Sequence, residues 1–219
     1  MMVDKLDHRI IATLDLLASR WTGAGVLLPC FSLLAQGESL AVSEMAEASG
    51  REVSLIEQTL EAARCRFDDD ARLIDLFGMT LEPTLHRLEI GGRIVFSCCA
   101  LWAHVIPRLI ERPVSVESVD PASRQVVRLS ISPTGITALD PPRALATLAI
   151  ADSGSIESDV ESAFCRHVRH FATLDSAQRF SLVSPARRVV SLGTLDRAAE
   201  RLHLAIADQA DRAPGTASS

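Results

Sequence analysis

A chain of 219 residues exceeds the roughly 100–150 typical of one domain, so one large or two small domains are expected, either able to bury a core. With 47% hydrophobic and 23% charged residues it is too apolar for a disordered chain, and a net charge of −6 offers no electrostatic footprint for nucleic acid. Five cysteines in no regular framework, with no apolar leader before them, predict a reducing cytosol; the longest nearly uncharged stretches, Ala24–Gln36 and Ile94–Ile106, fall short of the ~18–20 residues of a membrane span.

From Asp4 to Trp21, Leu6, Ile10, Leu14 and Leu17 recur at spacings of three and four, which predicts an amphipathic helix. A second apolar helix follows from Val26 to Ala35, with Cys30 read as a small core hydrophobe. Ser43 and Ser54 are candidate caps for two short helices around a Ser49-Gly50 turn, a helix-turn-helix pattern. Ala41 to Arg64 nevertheless sets Glu44, Glu47, Glu52, Glu57 and Glu61 against Arg51 and Arg64, which repels phosphate. The expectation is a structural, winged-helix-like module over residues 1–75 that does not bind DNA. Asp68-Asp69-Asp70 lacks the spaced oxygens and glycine of a calcium loop and reads as a solvated turn.

Beyond Cys65, Arg72 to Leu81 reads as a strand, and His86–Ile90 joins Arg93–Phe96 through Gly91-Gly92 as a hairpin. Cys99 to Ile110 reads as a helix that Pro107 kinks or shortens. Val114–Glu117 and Gln125–Ser132 form a second hairpin around Asp120, and Leu145–Ile150 is an apolar strand. Ser155 is a candidate cap for a helix from Ile156 to about Phe171 carrying Cys165, His167 and His170. Asp175 is placed as the cap of a short helix, followed by a strand over Arg188–Leu192 and a closing helix over Leu195–Ala207. Residues 211–219 are expected to be a disordered tail.

No Gly-x-Ser-x-Gly elbow, zinc-type cysteine spacing or glycine-rich phosphate loop is present, so no cofactor is expected. What survives is Cys98 or Cys99 with Cys165, soft ligands suited to mercury or copper(I). A thiol at the first turn of a helix faces free N–H groups and the positive end of the dipole, which favours thiolate. A plain cysteine-containing core is the competing reading. His167 and His170 are weaker ligand candidates beside them.

Gly78-Met79-Thr80-Leu81-x-Pro83-Thr84-x-His86-Arg87, Gly92-Arg93, Cys99-Ala100-Leu101, Pro107, Ser132-Pro133 and Ala163-Phe164-Cys165-x-His167-Val168-x-x-Phe171-Ala172 resemble, in order and spacing, the organomercurial (alkylmercury) lyases. The resemblance spans about residues 75–182, and the acidic helix-turn-helix is similar to that family's N-terminal domain. It implies an α+β protein with a lyase-like core over 76–210, built on an antiparallel or mixed sheet with flanking helices. It implies that Cys99 and Cys165 hold mercury as thiolates and that an aspartate three residues after the first cysteine shuttles the proton. That position is Trp102, which shares a helix face with Cys99 and cannot exchange a proton at neutral pH. Loss of a positioned proton donor costs typically ~10²–10⁴-fold in rate.

Three readings follow. In the first, a small organomercurial is cleaved by protonolysis, with Cys98 as substitute proton donor and mercury(II) left on the thiolates; His104, on a poorly aligned face, is a weaker substitute. In the second, Cys98, Cys99 and Cys165 form a non-catalytic trap for Hg(II) or Cu(I). In the third, the fold is recruited to another small-metabolite reaction and Trp102 shapes or plugs the pocket. The family's further cysteine falls near Asp120, a position not expected to be essential, and nothing in the sequence sets an oligomeric state.

Overall fold

In the computed structural model, residues 6–21, 24–63, 65–184 and 186–211 are described; Asp4, Arg64 and residues 212–219, where part of the first helix, one predicted cation and the tail were placed, lie outside them. Four helices come first: α1 (His8–Ser19), α2 (Ala24–Leu34), α3 (Val42–Ser49) and α4 (Val53–Ala63). The Asp7 carboxylate caps α1 by accepting from the Arg9 and Ile10 N–H groups. Ser43 does not cap α3. The helix starts at Ala41, whose N–H donates to the Glu44 carboxylate at 2.6 Å, and it ends at Gly50 in the left-handed region.

An eight-stranded antiparallel sheet follows: β1 (Arg66–Phe67), β2 (Leu73–Leu76), β3 (Met79–Thr80), β4 (His86–Ile90), β5 (Arg93–Ser97), then, after helix α5 (Ala100–Leu109), β6 (Val114–Val119), β7 (Val126–Ser132) and β8 (Gly135–Asp140). Its order is β1-β2-β3-β5-β4-β6-β7-β8. The single strand expected over Arg72–Leu81 is two, because Phe77 (φ +43) and Gly78 (φ +92) form a two-residue turn of the primed type that pairs Leu76 with Met79. β8 was not anticipated; it pairs with β7 after the turn at Pro133-Thr134.

The second sheet orders β9 (Leu145–Ala149) between β10 (His170–Phe171) and β11 (Arg187–Ser191). Between β9 and β10 the expected long helix is broken into α6 (Ser153–Ser158), α7 (Val160–Ala163) and a 3-10 turn over Cys165–His167. Asp152 rather than Ser155 caps α6, and the Asp159 carboxylate accepts from the Glu161 and Ser162 N–H groups, starting a new helix where the old one would have continued. His170 therefore lies in a strand. α8 (Leu174–Leu182) is capped by Thr173, with Asp175 in its first turn, and α9 (Leu192–Asp211) closes the chain. No described helix is long and apolar enough to cross a membrane.

Most buried apolar side chains from Ile10 to Ile206 form one connected core, with Leu145, Phe171, Ala177 and Val189 in a smaller cluster, and α9 packs against α1, α2 and α5. At its centre α5 is buried from Ala100 through Arg108, with the large sheet on one side and α9 on the other. The helix runs through Pro107 and ends two residues later. Trp102 leaves its outer edge and stacks on Trp21 at 5.4 Å between ring centres; Trp21 in turn stacks on Phe77 at 4.1 Å. This aromatic wall is possible only because residue 78 has no side chain: a Cβ there would lie 2.4 Å from Trp102 Cγ.

Gly78→Ala is therefore expected to destabilise the fold by about 2–5 kcal/mol, about 1–2 from the left-handed backbone and the rest from ring overlap. A urea-denaturation cycle with Trp102→Ala checks it: the two losses should be less than additive, because only the backbone part remains once the indole is gone.

Candidate active site

Cys98 and Cys99 follow β5 directly, where the chain leaves the sheet for α5. The Cys98 N–H donates to the Gly78 carbonyl at 2.9 Å, and Cys99, extended at φ −153 and ψ 170, is the N-cap of α5. The Cys99 carbonyl is held by the Ser97 hydroxyl at 3.1 Å. Cys165 arrives on the 3-10 turn that follows α7. Two hydrogen bonds join the segments: Ala100 N–H to the Val168 carbonyl at 3.1 Å, and Arg169 Nη1–H to the Cys98 carbonyl at 2.9 Å.

Those links bring Cys98 Sγ to 3.3 Å from Cys165 Sγ, and the sulfurs of Cys98, Cys99 and Cys165 all lie within 4.8 Å of one another. Among the described residues this is the only group of three or more Cys, His, Asp or Glu side chains able to share an ion. All five cysteines are free thiols. Cys98 and Cys165 face a cavity of about 480 Å³ walled by Trp21, Phe77, Gly78 and Trp102; Cys99 is fully buried behind them.

The thiols differ in acidity. Burial pushes the Cys99 thiol up, but hydrogen bonds from Cys165 and Cys98, with the Trp102 backbone N–H facing its sulfur, prevail and hold it well below the usual thiol range. That N–H approaches without closing a cap hydrogen bond. Cys98 is held well above its ordinary value by its hydrogen bonds to Cys165 and Cys99 and by burial. Cys165 is favoured as thiolate by the Cys98 S–H, yet its own donation to Cys99 and its burial leave it well above as well. One anion with two protonated neighbours is the state the geometry favours.

The other candidates fall elsewhere. Trp102 lies beside the thiols with 5% of its surface exposed. His167 turns away, its Nδ1 accepting from Arg187 Nε at 3.0 Å, and Asp120 is buried as a staple whose carboxylate accepts from the Ala122, Ser123 and Ala172 N–H groups. His104 and His170 are buried together at 3.2 Å between their Nε2 atoms. Among the cavity residues that escaped the sequence reading are Arg169, Cys65 and Asp75. Burial raises the Asp75 carboxyl above its ordinary value although Arg66 Nη2 lies 3.1 Å away. His86 was visible only as a matched motif position, and its partners Ser118 and Arg169 gave no signal at all.

Burial also holds the imidazoles of His86, His104 and His170 below their ordinary range; Arg169 adds to this for His86, which is lowered to about 3. Unfolding lets each take up a proton, so below about pH 6.5 the unfolded chain binds more protons and stability falls with pH by up to ~1.4 kcal/mol per unit per histidine. The depressed carboxyls of Asp120 and Asp196 lose their contribution only below about pH 4. The urea midpoint should thus drop between pH 7 and pH 5, and His86→Gln should make that slope shallower by one proton; an unchanged slope would contradict the assignment.

The family model for alkylmercury lyase matches residues 79–203. The alkylmercury lyase of Bacillus cereus is 29% identical over 165 residues, covering 75% of this chain and 74% of that one. That of Streptomyces lividans is 30% identical over 162 residues, covering 74% of each. The crystal structure of the mercury-bound form of MerB2 superposes with a TM-score of 0.72 at 15% identity, over 91% of this chain and all of the other, which is a likeness of fold. With its matched residues extending over more than half its length, the chain belongs to the alkylmercury lyase family.

Proposed function

We propose that the chain cleaves carbon–mercury bonds by protonolysis, with Cys98 supplying the proton that an aspartate at position 102 would otherwise carry. The observation that carries this reading is the three-sulfur cluster, with two sulfurs 3.3 Å apart facing a cavity with an aromatic wall. Soft sulfur donors suit mercury, and the aromatic wall suits the organic group it carries.

The Cys99 thiolate displaces a labile ligand from R–Hg–X to give R–Hg–S and X⁻. Once bound to mercury, Cys99 no longer accepts and the Cys165 S–H turns to Cys98; Cys165 then bonds to mercury as that proton passes to Cys98, and the Cys98 S–H proton goes to carbon. The C–Hg bond breaks, its electron pair forms the C–H bond, and Hg(II) remains on Cys99 and Cys165. Protons and charge balance, since one thiol proton is consumed and one anion replaces another. The high acidity threshold of Cys98 keeps a proton at hand, and its position against Cys165 allows it to be refilled.

A second reading has its own support. Trp102 fills the acid's position with an indole locked against Gly78, which is the arrangement of a trap that holds Hg(II) or Cu(I) without turnover.

Benzene release from phenylmercury in excess thiol separates the two. The wild type should release benzene, Cys98→Ala should lower release ~10²–10⁴-fold while still binding Hg(II), and Asp75→Asn should leave release intact. Loss of release in Asp75→Asn alone would move the donor to that carboxyl. Benzene from Trp102→Asp but not from the wild type would favour the trap, and silence from both would favour a recruited fold.

A further inference from the structure

We propose that Arg169 is a positioning residue for the thiol cluster, held against the Cys98 carbonyl by a one-way chain of buried hydrogen bonds that starts at Asp196. This rests on the reading of the thiols as a metal-capturing site. The chain is built from groups that reading does not use: His104 on α5, His170 on β10, Ser118 on β6, His86 on β4 and Asp196 on α9, with the three imidazoles and the serine all fully buried.

Its direction follows from the two ends. A carboxylate only accepts, so His104 Nδ1, 3.0 Å from Asp196 Oδ1, carries its proton there. His104 Nε2 is then bare and accepts from His170 Nε2–H at 3.2 Å. His170 Nδ1, left bare, accepts the Ser118 hydroxyl proton at 2.8 Å. Having donated its one proton, Ser118 Oγ accepts from His86 Nδ1–H at 2.8 Å. His86 Nε2 is consequently bare where Arg169 Nη1 approaches to 3.3 Å. A guanidinium only donates, so the opposite end requires the same direction independently. The second hydrogen on that nitrogen goes to the Cys98 carbonyl at 2.9 Å.

Arg108 fixes the far end, donating to Asp196 Oδ2 at 3.0 Å and to the His104 carbonyl at 2.6 Å. Arg169 follows Cys165 by four residues and grips the carbonyl of Cys98, so the chain sets one thiol-bearing segment against the other. A cluster whose spacing is set beforehand needs less ordering when an ion arrives, and loss of such outer partners costs typically ~10–100-fold in metal affinity.

Two measurements on the full chain test this. Ring-nitrogen NMR of the ¹⁵N-histidine-labelled protein should find His86 and His104 protonated at Nδ1 and His170 at Nε2; any other pattern overturns the chain. Hg(II) affinity, measured against a competing soluble dithiol, should fall ~10-fold in Asp196→Ala, which does not line the cavity, and similarly in Ser118→Ala and Arg169→Met. In the Ser118→Ala background Asp196→Ala should cost nothing more, because the chain is already cut. Additive losses, or unchanged affinity in Asp196→Ala, would overturn the proposal. Should Ser118→Ala not fold, the wild-type tautomers and Arg169→Met still decide it. A wild type that holds no Hg(II) would sink the metal reading, and the tautomer pattern would still judge the chain.

Discussion

A helix buried on every side cannot leave an imidazole and a guanidinium without partners. His104 and Arg108 sit one turn apart on α5, and both are buried. Their needs draw in Asp196 from α9, then His170 and Ser118 from two different sheets, then His86. The polar seam that satisfies α5 is thus also the seam that aligns both sheets with α9. An apolar α5 would pack as tightly, but it would not fix which segment faces which.

The site sits where that seam meets the aromatic wall. On one side a cation grips a carbonyl beside the thiols; on the other an indole lies flat on a glycine. Trp102 brings no charge to the thiols beside it, so the electrostatic setting of Cys99 is made largely by its neighbouring thiols. Cys99 as the sole low-lying thiol of the three reflects that setting: its stabilisation comes first from S–H and N–H donors, with a smaller contribution from His86.

Much of this was legible in the residues. Cys99 and Cys165 come together as the resemblance implies, with Cys98 beside them, Gly91-Gly92 turns a hairpin, and the apolar periodicity of α1 gives a buried face. The break in the helix before Cys165 was hidden because Asp159 looks like an ordinary helical surface residue, and only its side chain folding back onto Glu161 and Ser162 makes it a cap. The strand over Arg72–Leu81 was misread because Phe77 is an unusual occupant of a left-handed position, tolerated here by its stack on Trp21. The histidine chain could not be read at all, since its hydrogen-bonded partners lie 32 to 92 positions apart along the sequence and meet only through tertiary packing.

The closeness of Cys98 and Cys165 has a chemical consequence apart from metals. Two free thiols 3.3 Å apart are near the ~2 Å length of a disulfide, so an oxidant that joined Cys98 to Cys165 would take from the proposed metal pair one of its two sulfurs, Cys165, and the proton carrier with it. Forming that bond removes two electrons and two protons, so both thiols stay available to a soft ligand only where the surroundings are reducing.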